Sequence, residues 1–187
     1  MEHQKLVIRK ECNNILNKIS NKNYSSKSKL ITQNLISFLF NSNSSSFKSI
    51  GVYSALKTEP KLNFLFEVLK KKNIEIAFPY FDLKIKNHRM NYKLCDVNNL
   101  CNTNDFNILL PPIKNKTIVP DILLIPGLGF DKNKGRIGRG GGYFDNYLSS
   151  FKGLKLAVCF EDQLIKSVPM EEHDQRVDFI ITEKKSY

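Results

Sequence analysis

Between Lys48 and Phe78 the chain runs strand, helix, strand, and few folds accommodate that order. Lys48–Ser54 (Lys-Ser-Ile-Gly-Val-Tyr-Ser) reads as a strand. Lys61–Lys72 reads as a helix with Leu62, Leu65, Phe66 and Leu69 on one face, and Ile74–Phe78 as a second strand stopped by Pro79. A helical crossover returns the chain to the end of the sheet where it started, so the two strands pair in parallel. Parallel strands need cover on both faces of their sheet.

The remaining periodicity extends this unit. Helices are predicted over Leu6–Ile19 and Ser26–Phe40, followed by a polar linker over Asn41–Ser46. Met90–Leu94 reads as a strand, and Asp96–Lys116, with weak periodicity and Pro111-Pro112, as loop. Ile122–Ile125 is predicted to be a central strand, Tyr143–Phe151 a helix, and Leu154–Phe160 and Phe179–Thr182 the last two strands. With 187 residues and no internal repeat, the expectation is a single α/β domain over 1–187. Its sheet is expected to be mostly parallel and Rossmann-like, with helices on both faces.

Composition narrows the class. Apolar residues make up 41% of the chain, ordinary for a globular protein, and no apolar run is long enough to span a bilayer. The N-terminal Met1-Glu-His-Gln-Lys-Leu6 lacks an apolar signal core, so the expected location is cytoplasmic, with no membrane partner. Cys12, Cys95, Cys101 and Cys159 form no Cys-x-x-Cys pair and read as reduced thiols, Cys101 being the exposed one. The net charge of +11 raises the question of nucleic acid, but the basic residues are scattered, with Lys70-Lys71-Lys72 the densest run. No aromatic and basic run of the RNA-binding kind is present, so no nucleic-acid partner is expected.

The chemistry points to one stretch. Pro126-Gly-Leu-Gly-Phe-Asp131 leaves the central strand, and Gly135-Arg-Ile-Gly-Arg-Gly-Gly-Gly-Tyr-Phe-Asp145 opens a helix. Glycines let a backbone come close to phosphate oxygens, a helix N-terminus offers unpaired N–H groups, and arginines add fork-shaped donors. Arg136 and Arg139 are therefore candidate anion ligands, and Asp145, about one helical turn on, a candidate Mg²⁺ ligand. The stretch is neither a Walker loop, which needs Gly-x-x-x-x-Gly-Lys-Ser/Thr, nor a dinucleotide Gly-x-Gly-x-x-Gly, since position 143 is Tyr.

Four blocks in order give this chain a resemblance to a known family. They are Lys5-x-x-x-Arg9, Tyr53-Ser-Ala-Leu-Lys-Thr-Glu59, the glycine-rich stretch to Asp145, and Phe160-Glu-Asp-Gln163 with Val168-Pro-x-Glu-x-His-Asp174-x-x-x-Asp178. Together they resemble 5-formyltetrahydrofolate cyclo-ligase, also called 5,10-methenyltetrahydrofolate synthetase. The resemblance implies conversion of 5-formyltetrahydrofolate and ATP to 5,10-methenyltetrahydrofolate, ADP and phosphate, with Mg²⁺. It implies that Lys5, Arg9, Arg136, Ile137, Gly138, Arg139, Gly140, Gly141, Gly142, Tyr143 and Phe144 bind the nucleotide. Ser54, Glu59, Arg139, Gly140, Gly141, Gly142 and Tyr143 would meet the folate, Asp145 and Asp174 the metal, and Arg139 and Lys5 would act in catalysis.

Physical considerations sit comfortably beside these roles. Lys5 and Arg9, at i and i+4, share a helix face. Glu59 follows a strand, at the end of the sheet where α/β folds take their ligands. Phe106–Pro112 is expected to lend apolar cover to the ligand. His173 reads as a surface or supporting group, and His3 and His88 carry no signal. The chain departs from common family choices at Tyr80 (Arg in many relatives, for a phosphate or glutamate-tail contact), at Gly141 (Lys in some) and at Phe144 (commonly Tyr). A monomer acting on small molecules is expected. The competing readings are a basic RNA-binding module and a phosphotransferase with another acceptor.

Overall fold

The computed structural model describes residues 2–19, 21–41, 47–81, 89–102 and 108–187. Two long helices come first, α1 (Glu2–Asn17) and α2 (Asn21–Asn41). They are followed by β1 (Ser49–Gly51), α3 (Asn63–Lys71), β2 (Glu75–Tyr80) and β3 (Asn91–Leu94). Short strands β4 (Cys101–Asn102), β5 (Leu109–Leu110) and β6 (Thr117–Ile118) lead to β7 (Ile122–Ile125). Next come β8 (Gly129–Phe130), β9 (Arg136–Ile137), α4 (Tyr143–Leu148), β10 (Leu154–Val158) and β11 (Phe179–Ile181).

The main sheet has the order β11-β10-β7-β1-β2-β3-β6. β11, β10, β7, β1 and β2 pair in parallel, and β3 and β6 add antiparallel strands at one edge. From β1 the chain winds outward through α3 to β2, and from β7 it winds the other way through α4 to β10. Right-handed crossovers in opposite directions put the connecting helices on opposite faces. The buried residues divide accordingly. Ile122 and Leu124 join α1, α2 and α3 in one core, while Leu123 and Ile125 join Leu148 of α4 in the other. This is the two-faced burial predicted for β7, which lies between β1 and β10.

Helices α2 and α3 follow the apolar period, although α2 starts at Asn21, ahead of the predicted Ser26. Ile31, Leu35 and Leu39 recur every four residues and are buried, as are Leu65 and Leu69. Helix α1 starts earlier than predicted, at Glu2. Its first turn has no apolar stripe, and it is tied down by Lys5, which is buried against acidic residues near the C-terminus.

Three expectations need correction. Strand β2 does not stop at Pro79 but runs to Tyr80. The backbone groups of Ala77 face β1, where its carbonyl accepts from Val52, so the ring nitrogen of Pro79 faces the same side beyond the end of β1 and forfeits no ladder bond. The segment 96–116 is not plain loop. It holds a 3₁₀ turn at Val97–Asn99, capped by Asp96, and the β4–β5 pair, each too short to produce a periodic signal. The helix predicted to Phe151 ends at Leu148. The linker predicted over Asn41–Ser46 and the position of His88 lie outside the described residues, Asn41 excepted. Cys101 is exposed and the other three thiols are buried, as anticipated. No described helix is long and apolar enough to cross a membrane.

Candidate functional site

Strand order reverses between β1 and β7. A sheet that winds both ways splays its connections there and opens a crevice beyond the carboxyl ends of the strands. The chain has a cavity of about 1260 Å³ in that place. Tyr53, Ser54 and Glu59 reach it from the end of β1, and Pro126 and Gly127 from the end of β7. Helix α1 adds Lys5 and Arg9, the whole turn 136–145 forms one wall, and Glu171, His173, Asp174 and Gln175 close another. Every residue assigned from sequence lines this one cavity, although the chain separates them by up to 169 positions.

The glycine-rich stretch is more ordered than a loop. Asp131 folds it into a β8–β9 hairpin, accepting from the N–H groups of Asn133 and Gly135 (both 2.9 Å) and of Val168 (2.7 Å). Arg136 therefore sits on a strand, 6% exposed, at the foot of the cavity. Gly140 and Gly142 have φ of +98° and +69°, a region closed to most side chains, so the turn depends on glycine at both positions. Helix α4 follows, but with six residues its dipole is short. The positive charge of this wall comes mainly from arginine side chains.

Ion pairs fix those side chains. Arg136 Nη2 donates to Asp145 Oδ2 at 2.8 Å, its Nη1 reaches the Pro126 carbonyl at 3.5 Å, and its guanidinium lies 5.4 Å from the centre of the Phe144 ring. Its buried Nε has no hydrogen-bond partner among the described residues. Arg9 Nε donates to the Gly138 carbonyl (3.0 Å), bracing the turn from α1. Lys5 Nζ donates to Asp174 Oδ2 (2.5 Å) and Glu171 Oε2 (2.9 Å). Burial alone would lower the Lys5 pKa, but these two carboxylates outweigh it and hold the ammonium charged. Burial likewise pushes the Asp174 carboxyl up, and the bonds from Lys5 and the Glu171 N–H more than reverse the effect. Gln175 N–H donates to Asp145 Oδ1 at 3.4 Å, so the two predicted metal carboxylates stand on adjoining segments.

The opposite end of the cavity is built around Glu59, which is 5% exposed. Its Oε2 accepts from the Leu56 N–H (3.0 Å) and its Oε1 from Arg139 Nε (3.3 Å), while Arg139 Nη2 donates to Thr58 Oγ1 (2.8 Å). Burial raises the Glu59 pKa, and the Leu56 N–H and Arg139 only partly offset that rise. A carboxylate whose pKa is raised on folding binds its proton more tightly in the native state. Native stability therefore falls as pH climbs from the unfolded value through the folded one. Glu59→Gln is expected to raise Tm at pH 7.5, with the gain vanishing as pH is lowered below the folded-state pKa of Glu59. Thermal melts of both proteins across pH check this, and an equal Tm at every pH would contradict it.

An apolar wall completes the site. Pro79, Phe81, Met90 and Ile108 line it, and the Phe81 ring stacks obliquely on Tyr143, centroids 4.9 Å apart. Ile108 belongs to the predicted covering loop, whose Phe106 and Asn107 lie outside the described residues. Residue 80 does not line the cavity. Its neighbours Pro79 and Phe81 do, and Lys93 Nζ lies 5.2 Å from the centre of the Tyr80 ring. The His173 side chain is 72% exposed at the cavity rim, 3.5 Å from Glu171.

Sequence reasoning missed Glu171 and Thr58. Glu171 lies in the block that contains Asp174, but acidic residues are frequent there and only the fold shows which one meets Lys5. Thr58 was hidden beside Glu59.

Comparison with known proteins agrees with this geometry. The sequence model of the 5-formyltetrahydrofolate cyclo-ligase family matches residues 1–183. The chain is 32% identical over 156 residues to the 5-formyltetrahydrofolate cyclo-ligase of Mycoplasma genitalium, covering 81% of each chain. It is 41% identical over 69 residues to the enzyme of that name from Mus musculus, a match spanning about a third (34%) of that protein's length. The solved structure of Aquifex aeolicus 5,10-methenyltetrahydrofolate synthetase superposes with a TM-score of 0.80 at 26% identity, covering 97% of this chain and 91% of that one.

Proposed function

The chain belongs to the 5-formyltetrahydrofolate cyclo-ligase family, and from that premise we propose that it uses ATP to close 5-formyltetrahydrofolate into 5,10-methenyltetrahydrofolate, releasing ADP and phosphate. The observation that carries this reading is the convergence of Lys5, Arg9, Arg136 and Arg139 with Glu59 and an apolar wall around one cavity. At about 1260 Å³ it exceeds the roughly 300–1,000 Å³ typical of a site for one drug-sized ligand, and suits two substrates side by side.

A formamide carbon is a weak electrophile and its oxygen a poor leaving group. The formyl oxygen attacks the γ-phosphorus and ADP departs, leaving an iminium phosphate. The folate's 10-nitrogen then adds to the activated carbon and loses its proton, and phosphate leaves with the former formyl oxygen. No protein nucleophile is needed. The demand is for alignment of the γ-phosphate with the formyl oxygen and for compensation of charge on the transferring group.

The residues suit these tasks. Arg139 stands between Glu59 and the glycine turn, so its guanidinium can face charge that develops between folate and nucleotide. Lys5, Arg9 and Arg136 line the cavity together with the close-approach backbone of Gly140–Gly142, and would serve the nucleotide. Glu59 can accept hydrogen bonds from the pterin amino and ring N–H groups, and the Phe81–Tyr143 pair offers flat apolar surface to a fused ring. Ser54, just past β1, lines the same cavity.

Asp145 and Asp174 offer hard oxygen donors of the kind Mg²⁺ takes, on segments joined by the Gln175–Asp145 bond, so the donor set fits that ion. Bound there, Mg²⁺ would neutralise phosphate charge. The reading is tested by labelling the formyl oxygen with ¹⁸O. The label is expected in the released phosphate, and its retention elsewhere or loss to bulk water would contradict this route.

A further inference from the structure

The same ion pairs that order the cavity also oppose its ligands. Asp145 and Asp174, assigned to the metal, are bonded to Arg136 and Lys5, assigned to the phosphates. Lys5 is 6% exposed, and its ammonium lies 2.5 Å from Asp174 and 2.9 Å from Glu171. That is a positive point charge at the carboxylate oxygens a divalent ion would use. We propose that Lys5 and Arg136 act as resident counter-ions of the metal carboxylates, so that metal and nucleotide enter together by exchanging ion-pair partners. The proposal rests on the nucleotide and metal roles given above.

Charge in a confined space forces the exchange. A buried charge must keep a partner, and removing one leaves the other strongly disfavoured. A divalent ion arriving alone at Asp174 meets the Lys5 ammonium and strips it of the shorter of its two ion pairs. It meets Arg136 in the same way at Asp145, the carboxylate that this guanidinium holds while tucked under the Phe144 ring. A triphosphate arriving alone faces Glu171, Asp174 and Asp145, and two of the cations it needs, Lys5 and Arg136, are already engaged. When both arrive, the metal takes the carboxylates and the phosphates take the released ammonium and guanidinium. Each ligand supplies the partner that the other displaces. Such coupling is reciprocal: whatever factor the nucleotide adds to metal affinity, the metal adds to nucleotide affinity.

Glu171 gains a role here. It keeps a carboxylate on Lys5 in addition to Asp174, so the ammonium is held by two partners and not one. It is a positioning residue for Lys5.

The test measures binding, separately from turnover. Mn²⁺ serves as the metal probe, followed by electron paramagnetic resonance, and ATP binding in excess EDTA is followed by calorimetry. Lys5→Met is expected to bind Mn²⁺ alone about tenfold more tightly than the wild type, within the usual range for coupled sites. Lys5→Arg keeps the charge and is expected to bind Mn²⁺ alone as weakly as the wild type does. Asp174→Asn is expected to bind metal-free ATP about tenfold more tightly, because Lys5 is then held by Glu171 alone and turns more readily to the phosphates, while losing affinity for Mn²⁺ with ATP. Circular dichroism and melts confirm that each variant is folded, and the two sites of substitution test the idea independently. Unchanged Mn²⁺ affinity in Lys5→Met, or metal-free ATP binding in Asp174→Asn that is unchanged or weaker, would overturn the exchange. A wild type that binds no Mn²⁺ and ATP together would instead overturn the nucleotide reading on which the exchange rests.

Discussion

Arg139→Ala should lower kcat by about two orders of magnitude, the scale of losing a donor aimed at developing charge. The side chain is placed for that task. Its Nε is on Glu59 and its Nη2 on Thr58, so the guanidinium ties the glycine turn to the segment that follows β1. It keeps 39% of its side-chain surface in solvent, so the substitution should disturb folding far less than activity. Arg139→Lys should recover only part of the rate, because an ammonium cannot bond Glu59 and Thr58 in the same fork geometry. Steady-state kinetics at saturating ATP and formylfolate, alongside thermal melts, check the expectation. A rate close to wild type would remove Arg139 from the catalytic machinery.

Arg136→Met should be among the most damaging single changes to the fold at the site. Breaking a fully buried ion pair costs about 3–5 kcal/mol, chiefly because the partner is left charged and unpaired. The Arg136 side chain is 4% exposed, but that of Asp145 keeps 20% of its surface in water, so we expect about 2–3 kcal/mol after that discount. In a chain of 187 residues this is a fall in Tm of roughly 5–10 °C. Adding Asp145→Asn to the same protein should restore part of the loss, since the stranded charge is then gone. Calorimetry of the single and double variants decides the matter. A single variant that melts with the wild type would mean the pair carries no stability.

The fold is legible in the sequence where period and length are strong. The β1–α3–β2 unit and the four-residue apolar spacing of α2 both announce themselves, because the buried side must repeat with the geometry of the element. Strands of two residues have no period to read, so β4, β5, β6, β8 and β9 emerge only with the tertiary fold. Pro79 misleads for a different reason. A proline stops a strand only where its missing N–H would have been paired, and that depends on β1 ending first.

The site is legible as a set of residue types and less so as a set of bonds. Glycines at Gly138 and Gly140–Gly142, interleaved with Arg136 and Arg139, signal an anion site by residue type alone, and the family resemblance adds Lys5, Arg9, Glu59 and Asp174 from distant blocks. What the sequence does not convey is pairing. That Lys5 meets Asp174 and Glu171 across 169 and 166 residues, and that Arg139 meets Glu59 across 80, emerges only with the tertiary fold, around the crevice where the strand order reverses between β1 and β7. The stretch from Gly135 to Asp145 also reads as a helix N-terminus with its own field. The fold shifts that weight to side chains, because α4 is short and Arg136 belongs to a hairpin strand.

ATP-driven ring closure in one cavity is tested most directly by its product. Purified protein, 5-formyltetrahydrofolate and Mg²⁺ are mixed with and without ATP, and methenyl-folate is followed by its absorbance. Product is expected to form only with ATP, and ADP and phosphate to appear in equal amounts with it. Product formed at the same rate without ATP, or ATP consumed with no methenyl-folate, would contradict the proposed reaction.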